Sequence, residues 1–366
     1  MLMRICVVTE FCVPYYNGGG EIRYHEITKR LAERGHEVHL VCCRFKGAPK
    51  EETVDGVHIH HIGPVIADPP NRSIWNFLHY ILACLFYLLY RLEYDIIDAN
   101  TYIPLFPAVL AGKLKHKPVL ATINIVIGDW SKDKYNPTIA QRVERFLFNL
   151  DFEHVLTVSN YAKQALIKDF GIECDISVIY NGVDLARIES IEAKPKTTEL
   201  CFVGRDIWFK HVQDAIDAAV IAHESHPELV LKIIGQDVET KHEFIKSMGR
   251  LDYDQTISEI KSSSIMLMPS TKDTFGLVVI EAAACGVPSI VYDNSGPAEL
   301  VTTHLQGIVV KPRDVKAMAK QIIGLLDDQK SLEILSKSNR EAAEKFDWSE
   351  VAKKIEAEYG KMIRKI

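Results

Sequence analysis

Ser264–Gly286 reads SIMLMPSTKDTFGLVVIEAAACG, a strand, a polar loop and a helix in that order. Ile265–Met268 is an apolar run of strand length closed by Pro269. After the loop Ser270–Thr274, the spacing predicts a helix over Phe275–Ala284 with Leu277, Ile280, Glu281 and Ala284 on one face. Ser270, Thr271 or Asp273 is the expected cap, and Gly286 followed by Pro288 is the expected stop. Asp273 therefore stands at the helix start, with Glu281 about two turns further along. A carboxylate inside an apolar helix is costly unless something pairs with it. A solvated or capping acid is the plain alternative. The loop, however, falls at the carboxyl end of a strand, where open α/β sheets bind ligands.

Asp273-Thr274-Phe275-Gly276 through Glu281, preceded by Pro269-Ser270, resembles the acid–seven residues–Glu signature of glycosyltransferase family 4, the retaining enzymes of the GT-B fold. The family usually has Glu where this chain has Asp273, which is one methylene shorter. The resemblance implies an α/β chain of two Rossmann-like domains facing across a cleft, with a C-terminal helix crossing back to the first domain. It implies an acceptor-side domain over residues 1–186, a linker over 187–198, a nucleotide-sugar-binding domain over 199–345 and the returning helix over 346–366. The segment Ala186–Thr198 is charged, carries Pro195 and shows no sustained pattern, which suits a linker.

The 366 residues suffice for about two domains. At 47% hydrophobic and 25% charged, the composition is that of a globular protein. A net charge of −6 argues against bulk nucleic-acid binding, so no nucleic-acid partner is expected. The eight cysteines show no metal or redox spacing, and buried free thiols in a reducing cytosol are expected. Met1–Cys12 is too short and too soon interrupted by Glu10 to be a secretory signal, and it reads as a first strand.

Arg4–Thr9 and Glu37–Cys43 read as strands joined by a helix over Glu21–Arg34, a βαβ unit that implies a parallel sheet. Gly18-Gly19-Gly20 precedes that helix and would let the backbone approach an anion. A dinucleotide fingerprint would need Gly at position 23, where this chain has Arg23. The triplet instead resembles the family's glycine loop, which lies against the donor phosphates and the acceptor; a flexible turn is the alternative. Many family members have His where this chain has Asn100 and Asn124. Asn can hydrogen-bond a sugar hydroxyl but carries no proton near neutral pH.

Ser73–Tyr90 holds no Asp, Glu, Lys or Arg. Trp75, Leu78, Leu82, Leu85, Leu89 and Leu92 share one helical face. A bilayer-spanning reading would place strands of one sheet on opposite sides of a membrane and is rejected. A core or subunit-interface helix is expected, with peripheral membrane contact through residues 73–92 as the alternative. His58, His60 and His61 lack a further ligand at metal spacing. Asp252-Tyr253-Asp254 imitates a metal-binding acid pair but is better read as a helix cap.

In the second half, Gly204-Arg205 and, five residues later, Lys210-His211 follow the strand Leu200–Val203 and precede the helix Gln213–His223. Arg can grip a phosphate with two hydrogen bonds and Lys supplies a point charge. The resemblance implies that Arg205 and Lys210 stabilise a departing diphosphate, that Glu281 binds the ribose, that Asp273 contacts the sugar and that Asn124 stands near it. Gly19, Gly20, Gly204, Arg250, Leu251, Thr274, Phe275, Gly276, Leu277 and Val278 are the implied donor-binding set. The expected activity is a retaining hexosyl transfer from a nucleotide-sugar donor to a saccharide or lipid-linked acceptor. No cofactor and no metal are required, and the expected location is cytoplasmic, at the inner face of the cell membrane. A sugar-nucleotide epimerase and a non-catalytic nucleotide-sugar-binding protein are the alternatives.

Overall fold

The computed structural model describes residues 2–69, 71, 73–100, 102–125, 137–192 and 198–365; the part of the expected linker around Pro195 lies outside them. The chain divides into two compact units, Met1–Asn181 with Trp348–Ile366, and Gly182–Asp347. Both are Rossmann-like α/β units.

The first unit is built on β1 (Arg4–Val8), β2 (Glu37–Phe45), β3 (Glu51–Val54), β4 (Val57–Ile66), β5 (Ile96–Asn100), β6 (Val119–Ile123), β7 (His154–Thr157) and β8 (Ile176–Val178). They form one sheet in the order β3-β4-β2-β1-β5-β6-β7-β8. Every pairing is parallel except the β3–β4 hairpin. That hairpin turns at Asp55-Gly56, both with positive φ, the pairing a two-residue turn demands. The central strands are near-continuous buried runs because helices cover both faces. The helices are α1 (Gly19–Glu33), α2 (Ile74–Tyr90), α3 (Leu105–Lys115), α4 (Pro137–Phe148) and α5 (Asn160–Phe170), with the C-terminal helix Trp348–Ile363 packed against α1.

That C-terminal helix is tied in by a buried polar knot. Asp98 on β5 is 2% exposed and accepts hydrogen bonds from Tyr24 (3.0 Å), Thr122 (2.6 Å) and Tyr359 (2.6 Å). Burial raises the Asp98 pKa while the three hydroxyls pull it back down. Glu356 on the same helix holds Arg34 at 2.6 Å and His36 at 3.1 Å.

Helix α2, expected as a core or subunit-interface helix, buries only one seam within the chain. Its buried seam is Tyr80, Cys84 and Leu88, at four-residue spacing. Gly63 on β4 allows the close approach, since a Cβ there would stand 3.3 Å from the Tyr80 backbone. The expected face is largely outward: Trp75, Leu78 and Leu82 are exposed, together with Ile74, Phe86 and Tyr90. An apolar run has no intrinsic inside, and the neighbouring strand and α3 selected the seam with the smaller Cys84. Among the described residues, no helix is long and apolar enough to cross a membrane.

The second unit begins with the short helix α6 (Leu185–Ser190) and holds β9 (Glu199–Val203), α7 (Val212–His223), β10 (Val230–Ile234), β11 (Ile245–Gly249), α8 (Tyr253–Lys261), β12 (Ile265–Met268), α9 (Leu277–Ala284), β13 (Ser289–Tyr292), α10 (Gly296–Thr303), β14 (Gly307–Val310), α11 (Val315–Asp327) and α12 (Gln329–Ala343). Its six-stranded parallel sheet runs β11-β10-β9-β12-β13-β14. In chain order that is 3-2-1-4-5-6, so the strand order reverses between β9 and β12, where doubly wound sheets bind ligands. Leu200, Phe202, Leu231, Ile233, Leu267 and Ile290 anchor the core beneath that point.

Candidate active site

The two loops that flank the reversal in the second unit are Gly204–His211, after β9, and Pro269–Gly276, after β12. They are tied together at three places. The Thr271 backbone N–H donates to the Phe209 carbonyl at 3.0 Å. His211 Nε2 lies 3.0 Å from Thr271 Oγ1. Lys210, at the end of a short 3-10 turn, forms an ion pair with Asp273, each side chain about one-sixth exposed (16% and 17%). Lys210 and Asp273, expected site residues from two separate motifs, therefore meet directly. Arg205 stands exposed at the mouth of the first loop.

Asp273 does not cap α9, nor do Ser270 and Thr271, contrary to expectation. The cap is Gly276, with φ 81° and no side-chain cap bond. The helix starts at Leu277, later than Phe275, because Asp273 turns back to Lys210 while its other oxygen lies 3.4 Å from the Phe275 backbone N–H. Gly276 needs its glycine twice, for the left-handed backbone and for space, since a Cβ would meet Pro297 at 2.7 Å. The Gly296 N–H donates to the Asp273 carbonyl at 2.8 Å, which seats the start of α10 on the same loop. Thr274 and Phe275 are buried. Leu277 and Val278 are half-buried in the first turn of α9.

Glu281 follows about one turn into α9, half-buried, and burial pushes its carboxyl up to about 7. Burial, with nearby Glu281 adding to it, raises the phenol pKa of Tyr253 at the start of α8. The Arg187 guanidinium covers the Tyr253 ring at 4.6 Å and pairs with Asp254 at 2.8 Å. Asp252 caps α8 in a full capping box with Gln255, so Asp252-Tyr253-Asp254 is a helix start as expected. Arg250 is exposed and Leu251 half-buried between β11 and α8.

Sequence reasoning missed the support behind this loop pair. Asp214 is 2% exposed and holds Arg313 at 2.7 Å and the Tyr292 hydroxyl at 2.6 Å. Arg313 also reaches His211 Nδ1 at 2.9 Å. Burial and the Arg313 charge both depress the His211 pKa, which keeps its ring neutral beside Thr271. Only the adjacency of Lys210 and His211 could have pointed there.

In the first unit, Gly19 and Gly20 form the first turn of α1. A Cβ on Gly20 would stand 3.6 Å from the side-chain nitrogens of both Asn100 and Asn124. Asn124 donates to Asn100 Oδ1 at 2.9 Å, and both are nearly buried. The glycine loop and the two asparagines thus converge at the carboxyl ends of β5 and β6. Arg23, one turn further, is fully buried. Its Nη1 donates to Asn181 Oδ1 at 2.6 Å, while its Nε and Nη2 have no hydrogen-bond partner among the described residues. The expected site residues fall into these two groups, Asn124, Gly19 and Gly20 in the first unit and the remainder in the second.

Two family descriptions match the chain in tandem: Glycosyltransferase Family 4 over residues 17–187 and Glycosyl transferases group 1 over residues 186–342. The chain is 25% identical to a glycogen synthase of Mycobacterium tuberculosis over 387 aligned positions, covering 96% of this chain and 92% of that one. Its fold is similar to a sucrose-phosphate synthase of Thermosynechococcus elongatus, with TM-score 0.80, 19% identity and 99% of each chain covered. It is also similar to the Anabaena protein HepE in complex with UDP-glucose, with TM-score 0.76 and 19% identity over 98% of this chain and 100% of that one.

Proposed function

Because the chain belongs to glycosyltransferase family 4, with the group 1 glycosyl transferase domain as its second half, we propose that it moves a sugar from a nucleoside diphosphate donor to an acceptor hydroxyl with retention of anomeric configuration. The observation that carries the reading is the pair of loops at the β9/β12 reversal, locked through Lys210 and Asp273 with Glu281 about one turn into α9. Negative charge builds on the diphosphate as the sugar bond breaks. Arg205 and Lys210 are the cations that meet it, and Lys210 exchanges its ion pair with Asp273 for the phosphate. The released Asp273 then accepts hydrogen bonds from sugar hydroxyls. Glu281 accepts from the ribose hydroxyls, a role that requires its ionised form. Asn124 hydrogen-bonds the sugar or acceptor without moving a proton. The reading calls for no metal and no cofactor.

Relatives support the donor and acceptor classes. HepE binds UDP-glucose, and a 23% identical Campylobacter jejuni relative is an N-acetylgalactosaminyltransferase acting on a diphospho-undecaprenol-linked sugar. The exposed stripe Ile74, Trp75, Leu78, Leu82, Phe86 and Tyr90 on α2 supports peripheral contact with a membrane bearing such an acceptor. Thermal unfolding with millimolar UDP, GDP or ADP tests the donor site. A nucleotide at ~100 times its dissociation constant adds ~2.7 kcal/mol, a stabilisation expected in the wild type and lost in Arg205→Ala. If none of the three nucleotides stabilises the wild type, the transfer reading fails.

A further inference from the structure

Three side chains that are far apart in sequence meet behind the segment joining β1 to α1. Cys12, Cys42 and His61 are all buried, and their ligand atoms lie within 4.8 Å of one another. Cys12 Sγ stands 3.4 Å from Cys42 Sγ, and Cys42 Sγ stands 3.4 Å from His61 Nδ1. Around a tetrahedral ion with sulfur at about 2.3 Å and nitrogen at about 2.0 Å, neighbouring ligand atoms are separated by roughly 3.5–3.8 Å. The two separations from Cys42 Sγ need only a few tenths of an ångström of expansion.

The far side of the imidazole is equally specific. His61 Nε2 lies 2.8 Å from Glu52 Oε1, which in turn accepts from the Tyr15 hydroxyl at 3.3 Å. Tyr15 is stacked on Phe45, with centroids 4.8 Å apart. A carboxylate on the outer nitrogen of a histidine fixes the tautomer that leaves the inner nitrogen as a donor to metal. Glu52 therefore does for His61 what outer carboxylates do at metal centres.

We propose that Cys12, Cys42 and His61 bind a thiophilic divalent ion of the zinc class, with Glu52 as the orienting outer-shell carboxylate. Two sulfurs and an imidazole select such an ion over magnesium or calcium, which take oxygen ligands. On binding, each thiol releases its proton to solvent as its metal–sulfur bond forms, and no electron is transferred. His61 keeps its proton on Nε2, toward Glu52. The ion takes the place of any proton on Nδ1, which also lies 3.2 Å from the Cys43 carbonyl oxygen. Three protein ligands leave a fourth position for a small exogenous ligand. The site is separate from the proposed transfer chemistry and does not depend on it. Its consequence is mechanical: Cys12 belongs to the segment leading to Gly18, so the ion would clamp that segment to β2 and β4.

The test uses the full chain, purified without chelator, with metal content read by mass spectrometry and with cobalt(II) as a spectroscopic substitute for zinc. One zinc per chain is expected, as are the visible bands and sulfur-to-cobalt charge transfer of a tetrahedral thiolate site. Adding zinc to chelator-stripped protein should raise the melting temperature. Cys42→Ser and His61→Gln should each lose the ion and that response. The wild-type cobalt spectrum stands without the variants, should either fail to fold. Wild-type protein that takes up no metal and shows no cobalt bands overturns the assignment. So does metal retained at wild-type level in a folded Cys42→Ser, or a metal-free chain with Cys12 and Cys42 joined as a disulfide.

Discussion

Glu281→Gln should make the protein more stable at alkaline pH while weakening the nucleotide site. In the unfolded chain the Glu281 carboxyl ionises near its ordinary 4.5, whereas in the folded protein burial holds it at about 7. Between those values the folded state binds more protons than the unfolded one, so this group's contribution to stability is lost as pH rises through 7. Each pH unit of the gap is worth ~1.4 kcal/mol, so ionised Glu281 costs ~3 kcal/mol above pH 8. Glutamine has the same shape and nothing to ionise. The variant's advantage should therefore grow by ~2.5 kcal/mol between pH 5 and pH 8. For a unit the size of Gly182–Asp347, that corresponds to roughly 5–10 °C in melting temperature. The assay is thermal unfolding of both proteins across that pH range, with and without the stabilising nucleotide. The variant should show the higher melting temperature at pH 8 and the smaller nucleotide response. A stability difference that stays flat from pH 5 to pH 8 would refute a buried carboxylate at this position.

Further outcomes follow from individual contacts. Lys210→Ala removes a preorganised cation and leaves Asp273 without its partner; transfer should slow by ~10²–10³, and single-turnover rates near wild type would contradict the role. Gly296→Ala puts a Cβ 2.2 Å from the Thr274 carbonyl oxygen and 2.5 Å from the Phe275 nitrogen. Overpacking of that kind costs ~1–3 kcal/mol, so both the melting temperature and the nucleotide response should fall. Gly324→Ala, on α11 with nothing within 4 Å of the added carbon, should instead gain up to ~1 kcal/mol and serves as the control. Tyr359→Phe deletes a hydrogen bond to buried Asp98, and chemical denaturation should register a loss of ~1.5–3 kcal/mol. An unchanged midpoint would mean that the knot does not hold the C-terminal helix.

Much of the fold was legible because its signals are local. Apolar runs of strand length, Gly-Pro stops and the alternation of strand with helix depend on a few neighbouring residues, and they point to parallel sheets without reference to any contact; the resemblance supplied their division into two domains. Asp252 is a capping residue for the same reason, since its partner Gln255 is three positions away. The acid pair Asp273 and Glu281 could be found because one loop and one helix contain both.

What escaped the sequence depends on which strands become neighbours. Lys210 and Asp273 are 63 positions apart and meet only because β9 and β12 lie side by side at the reversal of strand order. That pairing draws Asp273 away from the start of α9 and hands the cap to Gly276. The inward seam of α2 was equally undetermined, since Trp75, Leu78 and Leu82 are as apolar as the residues that were buried. Cys12 and Cys42 show no metal spacing along the chain, yet β2, β4 and the segment after β1 bring them to one histidine. The sequence by itself settled many of the strands and helices, and which loops carry charge. The tertiary structure decided which of those charges and thiols face each other, because that follows from sheet order, a property of the whole chain and not of any segment.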